Sequence, residues 1–210
     1  MSIFDVFKSI IKQAPAKKQK HLAAEEQLQV LSDLGIRPKQ DDFLEWLCNE
    51  WGRHTVESDP YNLMLFSLGS ERYEEDDTWE YLSDDVYSFD TECVEDNDIY
   101  AEVIKRLSDL SKGFFSISQI SSIVDHDNGL ASVSFTRNKI RYNWDLQYDD
   151  DWFDCDVINK MNNLLKDDNA SLFYYTSAPD QNLIVLFTSR EIIERINSFM
   201  TVPFVLGVKN

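Results

Sequence analysis

The clearest periodicity in the chain lies between Ile117 and Trp152, where apolar residues recur at every second position. Ala131, Val133 and Phe135 alternate with serines, and Ile140, Tyr142, Trp144, Leu146 and Tyr148 alternate with polar residues. A period of two gathers one set of side chains on one face of a pleated strand. Ile117, Ile120, Ile123 and Val124 form a third apolar segment ahead of these two. Asp125-His126-Asp127-Asn128-Gly129 and Arg137-Asn138-Lys139 separate the runs, and Asn and Gly tolerate the positive φ of tight hairpin loops. The spacing predicts an antiparallel three-stranded meander with a Trp/Tyr/Phe-rich buried face, running into Asp149-Asp150-Asp151.

Elsewhere the period is helical. Leu22, Leu28, Leu31 and Leu34 mark a helix over residues 21–34 that stops at Gly35. Asp41-Asp42 opens a helix from Phe43 to Trp51, closed by Gly52. Its apolar residues fall nearly all round, which predicts a largely buried helix. Tyr61 to Leu68 is a short apolar run whose length favours a buried strand over a helix. Val86 to Val94 reads as a strand. Ile99, Val103, Ile104, Leu107 and Leu110 then share one face of a helix over residues 98–111, capped by Asp96 or Asn97. Past the meander, Asp154-Cys155-Asp156 caps a helix from Val157 to Lys166. Ser171–Thr176 and Asn182–Thr188 are two strands joined by Ala178-Pro179-Asp180-Gln181, and their β-branched and aromatic content suits interior strands. Ser189 caps a last helix reaching Phe199. Strands in hairpin groups rather than strict alternation with helices predict an α+β fold. Its antiparallel sheet is built on the meander, helices pack against it, and the N-terminal region is helical.

Charge divides the chain into two parts. Lys8, Lys12, Lys17, Lys18 and Lys20 face only Asp5 within residues 1–20, where residues 2–13 carry the pattern of a short amphipathic helix. Residues 21–210 read as a single acidic domain, and the whole chain carries a net charge of −18. That field repels nucleic acid and favours a basic partner. Between Glu71 and Asp98 thirteen acids stand against Arg72 alone, yet Trp79, Tyr81, Tyr87 and Phe89 are threaded among them, so the segment is expected to be folded. No run of about 20 apolar residues exists to span a membrane. Cys48, Cys93 and Cys155 are dispersed and form no C-x-x-C pair, which reads as free thiols of a cytoplasmic protein.

Catalytic signatures are missing from the sequence. Its six glycines never cluster into a phosphate-binding loop, and His21, His54 and His126 stand alone. His126 and Cys155 are the conceivable base and thiol, but Asp151, Asp154 and Asp156 would raise the pKa of Cys155. Asp125 to Gly129 has a calcium-loop flavour, but its glycine is at the fifth place and Thr136 is at the twelfth, so a hairpin turn is the better fit. Asp149, Asp150, Asp151, Asp154 and Asp156 could hold a divalent cation for a metal-dependent hydrolase, an alternative to binding. Another is a structural or regulatory subunit docked through its N-terminal helix.

The remaining signal is acid interleaved with aromatic residues. Tyr and Trp are favoured interface anchors, and clustered acids steer a cationic partner. The residues expected to carry such contacts are Trp79, Asp84, Asp85, Tyr87, Asp149, Asp150, Asp151, Trp152 and Asp154. The plainer reading leaves the aromatics in the core and the acids in water. In general character over residues 60–200, the chain resembles the immunity proteins of bacterial toxin–immunity systems. The Asn128-Gly129 hairpin, the Ile140–Tyr148 strand running into Asp149-Asp150-Asp151-Trp152, and the acidic Glu71–Asp98 segment carry the likeness. It implies a non-enzymatic, cytoplasmic protein that neutralises a basic toxin, such as a nuclease, with no cofactor.

Overall fold

The computed structural model describes residues 21–74, 77–165, 171–178 and 180–207. The expected basic helix over residues 2–13 lies outside them, as do Glu75, Asp76, Lys166 and Pro179. Among the described residues, four helices come first: α1 (Ala24–Asp33), α2 (Phe43–Trp51), α3 (Arg53–Ser58) and α4 (Asn62–Leu68). The strands β1 (Glu71–Tyr73), β2 (Trp79–Tyr81) and β3 (Val86–Asp90) lead to α5 (Ile99–Leu110). Next is the meander, β4 (Ser118–Asp125), β5 (Leu130–Arg137) and β6 (Ile140–Leu146). The chain continues through α6 (Asp156–Leu165), β7 (Ser171–Ser177), β8 (Asn182–Ser189) and α7 (Arg190–Asn197). The strands form three antiparallel sheets, β1-β2, β3-β8-β7 and β4-β5-β6, and the fold is α+β.

The sheet at the centre is β3-β8-β7, not the meander. Leu183 and Val185 of β8, with Phe173 and Tyr175 of β7 and Tyr87 of β3, belong to one core. Ile184, Leu186, Tyr174 and Val86 point the other way into a second core. A sheet covered on both faces needs apolar residues at successive positions, which is why Leu183-Ile-Val-Leu186 does not alternate. The second core is filled by the N-terminal helices and α7 through Leu31, Phe43, Leu47, Val56, Leu65 and Ile193. The first is filled by α5, α6 and the inner face of the meander, with Phe115 between Phe135 and Phe173 at ring distances of 6.1 and 6.3 Å.

Buried polar side chains join these layers. Gln27 donates from Nε2 to the Leu22 and Val56 carbonyls at 2.9 and 3.0 Å and accepts from the Tyr61 amide at 2.9 Å. One amide thereby ties α1 to α3 and to the start of α4. Asn162 of α6 bonds both backbone groups of Phe173, at 2.9 and 2.8 Å, locking α6 to β7. Each supplies partners to main-chain groups that would otherwise be buried unpaired.

Three expectations are corrected. Residues 62–68 are helical, not a strand, and Met64, Leu65 and Leu68 are its buried face. The segment Asn-Leu-Met-Leu-Phe-Ser-Leu holds no β-branched residue, and a helix satisfies its own backbone without a neighbouring strand. Helix α2 has its expected bounds but buries only Phe43 and Leu47, four residues apart, while Trp51 stays 43% exposed. Asp42 does not cap it; its carboxylate takes the Arg72 guanidinium at 3.1 Å instead. In the meander, Phe135 is fully buried, but Tyr142 and Trp144 are only half-buried and Ile140 is 56% exposed. Strand β6 lies at the sheet edge, so its aromatics cover Phe135 from one side, at 5.4 and 4.8 Å, and keep the other side open. A bulge at Gln119 (φ +51°) shifts the register of β4 and leaves Ile123 on the outer, polar face.

Candidate protein-binding surface

The short β1-β2 hairpin carries the exposed aromatic residues of the acidic segment, Tyr73 and Trp79. Glu71 pairs with Tyr81, Arg72 with Glu80 and Tyr73 with Trp79. Residues directly opposite in an antiparallel pair share a face, so Tyr73 and Trp79 meet there with ring centroids 5.2 Å apart. They are 54% and 65% exposed. Tyr81 lies on the same face one step inward, half-buried and crossed by the Arg106 guanidinium 3.6 Å above its ring. Tyr81 meets Tyr87 edge-on at 5.9 Å, and Tyr87 stacks on Phe89 at 5.1 Å. An aromatic row therefore runs from the core out to a bare pair at the hairpin tip.

The hairpin is fastened on its other face. Arg72 reaches Glu74 at 2.8 Å and Asp42 at 3.1 Å, which anchors β1 to the start of α2. The Tyr73 hydroxyl donates to Asp77 at 2.8 Å, and this bond to a carboxylate, with some burial, raises the hydroxyl pKa. Glu71 and Asp77 accompany the aromatic pair and are exposed, and Glu80, opposite Arg72, is exposed on the other face. A fixed aromatic pair on a hairpin that exposes several carboxylates suits a partner with a cationic, partly apolar surface.

The nine expected contact residues do not form one patch. Trp79 is at the hairpin, fully available. Asp84 and Asp85 lie in the turn before β3, where cations of the chain answer them. Asp84 is 3.9 Å from Lys39 and 4.0 Å from Arg106, and Asp85 pairs with Lys112 and accepts the Arg37 amide at 3.0 Å. Tyr87 is overturned as an anchor. It is buried at the centre of the molecule, where burial pushes its hydroxyl pKa far above the usual range. Tyr87 and Phe89 are on the face of β3 that turns into the core between sheet and meander, and alternation along the strand puts them there together.

Asp149, Asp150, Asp151, Trp152 and Asp154 sit past the opposite end of β3, about 20 Å along the strand from Asp85. Here the chain knots two elements together. Val94 donates to the Asp151 carbonyl at 2.8 Å, Phe153 donates to the Thr91 carbonyl at 2.7 Å, and Trp152 bridges Glu92 and Asp149. Trp152 is half-buried in this knot rather than presented to solvent. Asp154 uses one oxygen on the Asp156 amide at 3.0 Å and the other on the Gln147 amide at 2.9 Å. Its work is to cap α6 and hold the end of β6. Only Asp149 and Asp150 remain exposed.

His126 and Cys155, the base and thiol weighed from the sequence, lie in different surroundings. Cys155 is buried, with its thiol pushed up to about 12 by burial and by Asp154, while His126 sits on an exposed hairpin bonded to Tyr148 at 3.1 Å. Asp125 spends its carboxylate on Asn128, accepting from the backbone at 3.0 Å and from Nδ2 at 2.8 Å, which makes the segment a turn. Among the described residues, no group of three or more His, Cys, Asp or Glu side chains is placed to hold a metal ion. No helix among them is long and apolar enough to cross a membrane.

The sequence shows Tyr73 only as one of the aromatic residues interleaved with acid, without its pairing to Trp79, and it does not single out Arg106. Tyr73 pairs with Trp79 across a turn without Gly, Asn or Pro, so nothing local announced a hairpin. Arg106 stands alone among Val103, Ile104, Leu107 and Leu110, and a lone cation on an apolar helix face was the available signal. It donates to the Ser83 carbonyl at 2.7 Å and so fixes the turn beneath the hairpin. Comparisons with protein-family models, curated proteins and solved structures returned no match.

Proposed function

We propose that this chain is a non-catalytic protein-binding domain, an immunity protein that neutralises a basic toxin such as a nuclease by covering its positive face. The observation that carries this reading is the exposed Tyr73–Trp79 pair, held on a hairpin that also exposes Glu71, Asp77 and Glu80. Leaving two large aromatic rings in water is unfavourable unless a partner covers them, and truncating such an anchor typically costs 2 kcal/mol or more of binding. The net charge of −18 supplies the long-range attraction that brings a basic partner in. Asp149 and Asp150 add to that field without belonging to the contact. Cytoplasmic action, no cofactor and no nucleic-acid ligand complete the reading.

The test is calorimetric titration against the product of the adjacent gene and against basic nucleases, at low and at physiological salt. Binding is expected to weaken as salt rises, because charges more than about 8–10 Å apart are screened at physiological ionic strength. Trp79→Ala should weaken it by about 30-fold or more. Absence of binding to every one of these partners at low salt would sink the proposal. Unchanged affinity of the Trp79→Ala protein would remove the hairpin as the contact.

A further inference from the structure

We infer that two copies of this chain pair edge to edge through β6, joining their meanders into one six-stranded antiparallel sheet. The inference is independent of the toxin-binding proposal, which uses a different hairpin.

The other edges of the three-stranded sheets are protected. On β7, the Tyr175 amide donates to the Val205 carbonyl at 3.0 Å and the Val205 amide donates back at 2.8 Å, so the C-terminal segment covers that edge. On β3, the Ser88 amide donates to the Gly69 carbonyl at 2.9 Å. On β4, the bulge at Gln119 twists the strand, and Asn97 accepts the Val124 amide at 2.9 Å. These are the usual protections of an edge. Strand β6 has neither bulge nor proline and presents seven residues, Ile-Arg-Tyr-Asn-Trp-Asp-Leu. Asn138 and Lys139 both have positive φ, the mark of a two-residue hairpin turn in which the flanking pair, Arg137 and Ile140, is hydrogen-bonded. By alternation, Tyr142, Trp144 and Leu146 also face β5, and the backbone groups of Arg141, Asn143 and Asp145 point outward. Among the described residues, the one hydrogen bond to these outward groups is from Lys160 Nζ to the Asp145 carbonyl at 3.0 Å.

The side chains say which occupant fits. Around Asn143 the strand is a chemical palindrome: aromatic on both sides, then Arg141 against Asp145, then Ile140 against Leu146. An antiparallel second copy centred on Asn143 places Arg141 opposite Asp145 twice and Tyr142 opposite Trp144 twice. It also sets Ile140 beside Leu146 and the two Asn143 backbones at the symmetry axis. That is the self-complementarity a two-fold interface requires. The outward-pointing pairs Arg141/Asp145 and Asn143/Asn143 are the ones whose backbones would bond. The Arg141/Asp145 side chains stay on the solvent face, where Arg141 is already held by the Gln119 carbonyl at 2.6 Å and by Ser134. Tyr142 and Trp144, half-buried in the single chain, are covered on their open side by their counterparts. Opposite charges and aromatic pairs across strands are both stabilising.

The experiment is sedimentation and light scattering of the full chain at physiological salt, over about two decades of concentration reaching hundreds of micromolar, the weak end of interface affinities. A reversible monomer–dimer equilibrium is expected. Arg141→Asp and Asp145→Arg each place like charges opposite one another twice, and each should raise the dissociation constant about tenfold or more. The double reversal, Arg141→Asp with Asp145→Arg, restores the pairs and should restore the dimer. Both residues are exposed, and circular dichroism of each variant checks that the fold is kept. A protein that stays monomeric throughout overturns the inference. So does a dimer indifferent to both single reversals, or one that the double reversal fails to rescue.

Discussion

The two three-stranded sheets have the same strand count and the same antiparallel pairing, yet they answer to different surroundings. In β3-β8-β7 both faces are buried and both edges are engaged by the chain itself, so β8 is apolar at Leu183, Ile184, Val185 and Leu186 in succession. In β4-β5-β6 only one face is buried, and β5 alternates strictly, with Ala131, Val133 and Phe135 inward and Ser132, Ser134 and Thr136 outward. Burial on one face or two is thus written in the period of the sequence. The contrast also separates roles. The central sheet is enclosed by the chain, and the one-sided sheets, the meander and the β1-β2 hairpin, hold the surfaces proposed above to meet partners.

The largest effect should come from the central sheet. Phe173 is fully buried, 4.8 Å from Phe187 and 6.3 Å from Phe115, so Phe173→Ala leaves a cavity between sheet and meander. Urea unfolding should show a loss of about 3–5 kcal/mol. The matching change on the meander edge, Ile140→Ala at a position 56% exposed, should cost no more than about 0.5 kcal/mol. Comparable losses at the two sites would break the division between a stabilising sheet and an offered one.

Next in size is Gly69→Ala, which probes how the edge of β3 is closed. A Cβ at Gly69 would lie 2.5 Å from the Ser88 nitrogen and 2.7 Å from the Tyr87 carbonyl carbon. The backbone conformation is ordinary there, and the glycine is needed for close approach alone. The α4–β1 link would have to withdraw and loosen the Ser88–Gly69 bond, at a cost of about 1–3 kcal/mol. A thermal melt unchanged by Gly69→Ala would show that this edge is held elsewhere.

How much of this was legible follows from what each signal measures. Alternation between Ala131 and Leu146 gave the meander and its turns, because the pattern reports burial of one face. The same pattern could not report that β6 lies at an edge, which depends on strand order, so Tyr142 and Trp144 looked like core. Composition of the Glu71–Asp98 segment pointed to a folded acidic surface, and Trp79 is where such a surface would place an anchor. It could not separate Trp79 from Tyr87, eight residues on, because their difference in burial is set by β8, nearly a hundred residues away. Helix α3 is only six residues long, too short to display a period. For residues 62–68 a length rule outweighed the absence of β-branched residues, and the propensity was the better guide.

The last prediction changes no residue. Cys93 and Cys155 belong to the core between the central sheet and the meander, and burial raises both thiols to about 12 from a reference of 9.0. Cys48 is on the helical side, half-buried, and its thiol is raised by burial as well. Below pH 9 the folded and unfolded chains both hold neutral thiols at 93 and 155, so these groups leave stability unchanged. Between pH 9 and 12 the unfolded chain releases those protons and the folded chain keeps them, so stability falls across that window. At pH 8 a thiol with such a pKa is ionised in about one molecule in ten thousand, so alkylation must pass through an opened state. Cys48 should therefore react first, Cys93 later, and Cys155 last, at a rate that rises with denaturant as global unfolding does. If Cys155 were labelled as fast as Cys48, the meander side would be opening on its own, and the two sheets would be separate in stability as well as in surroundings.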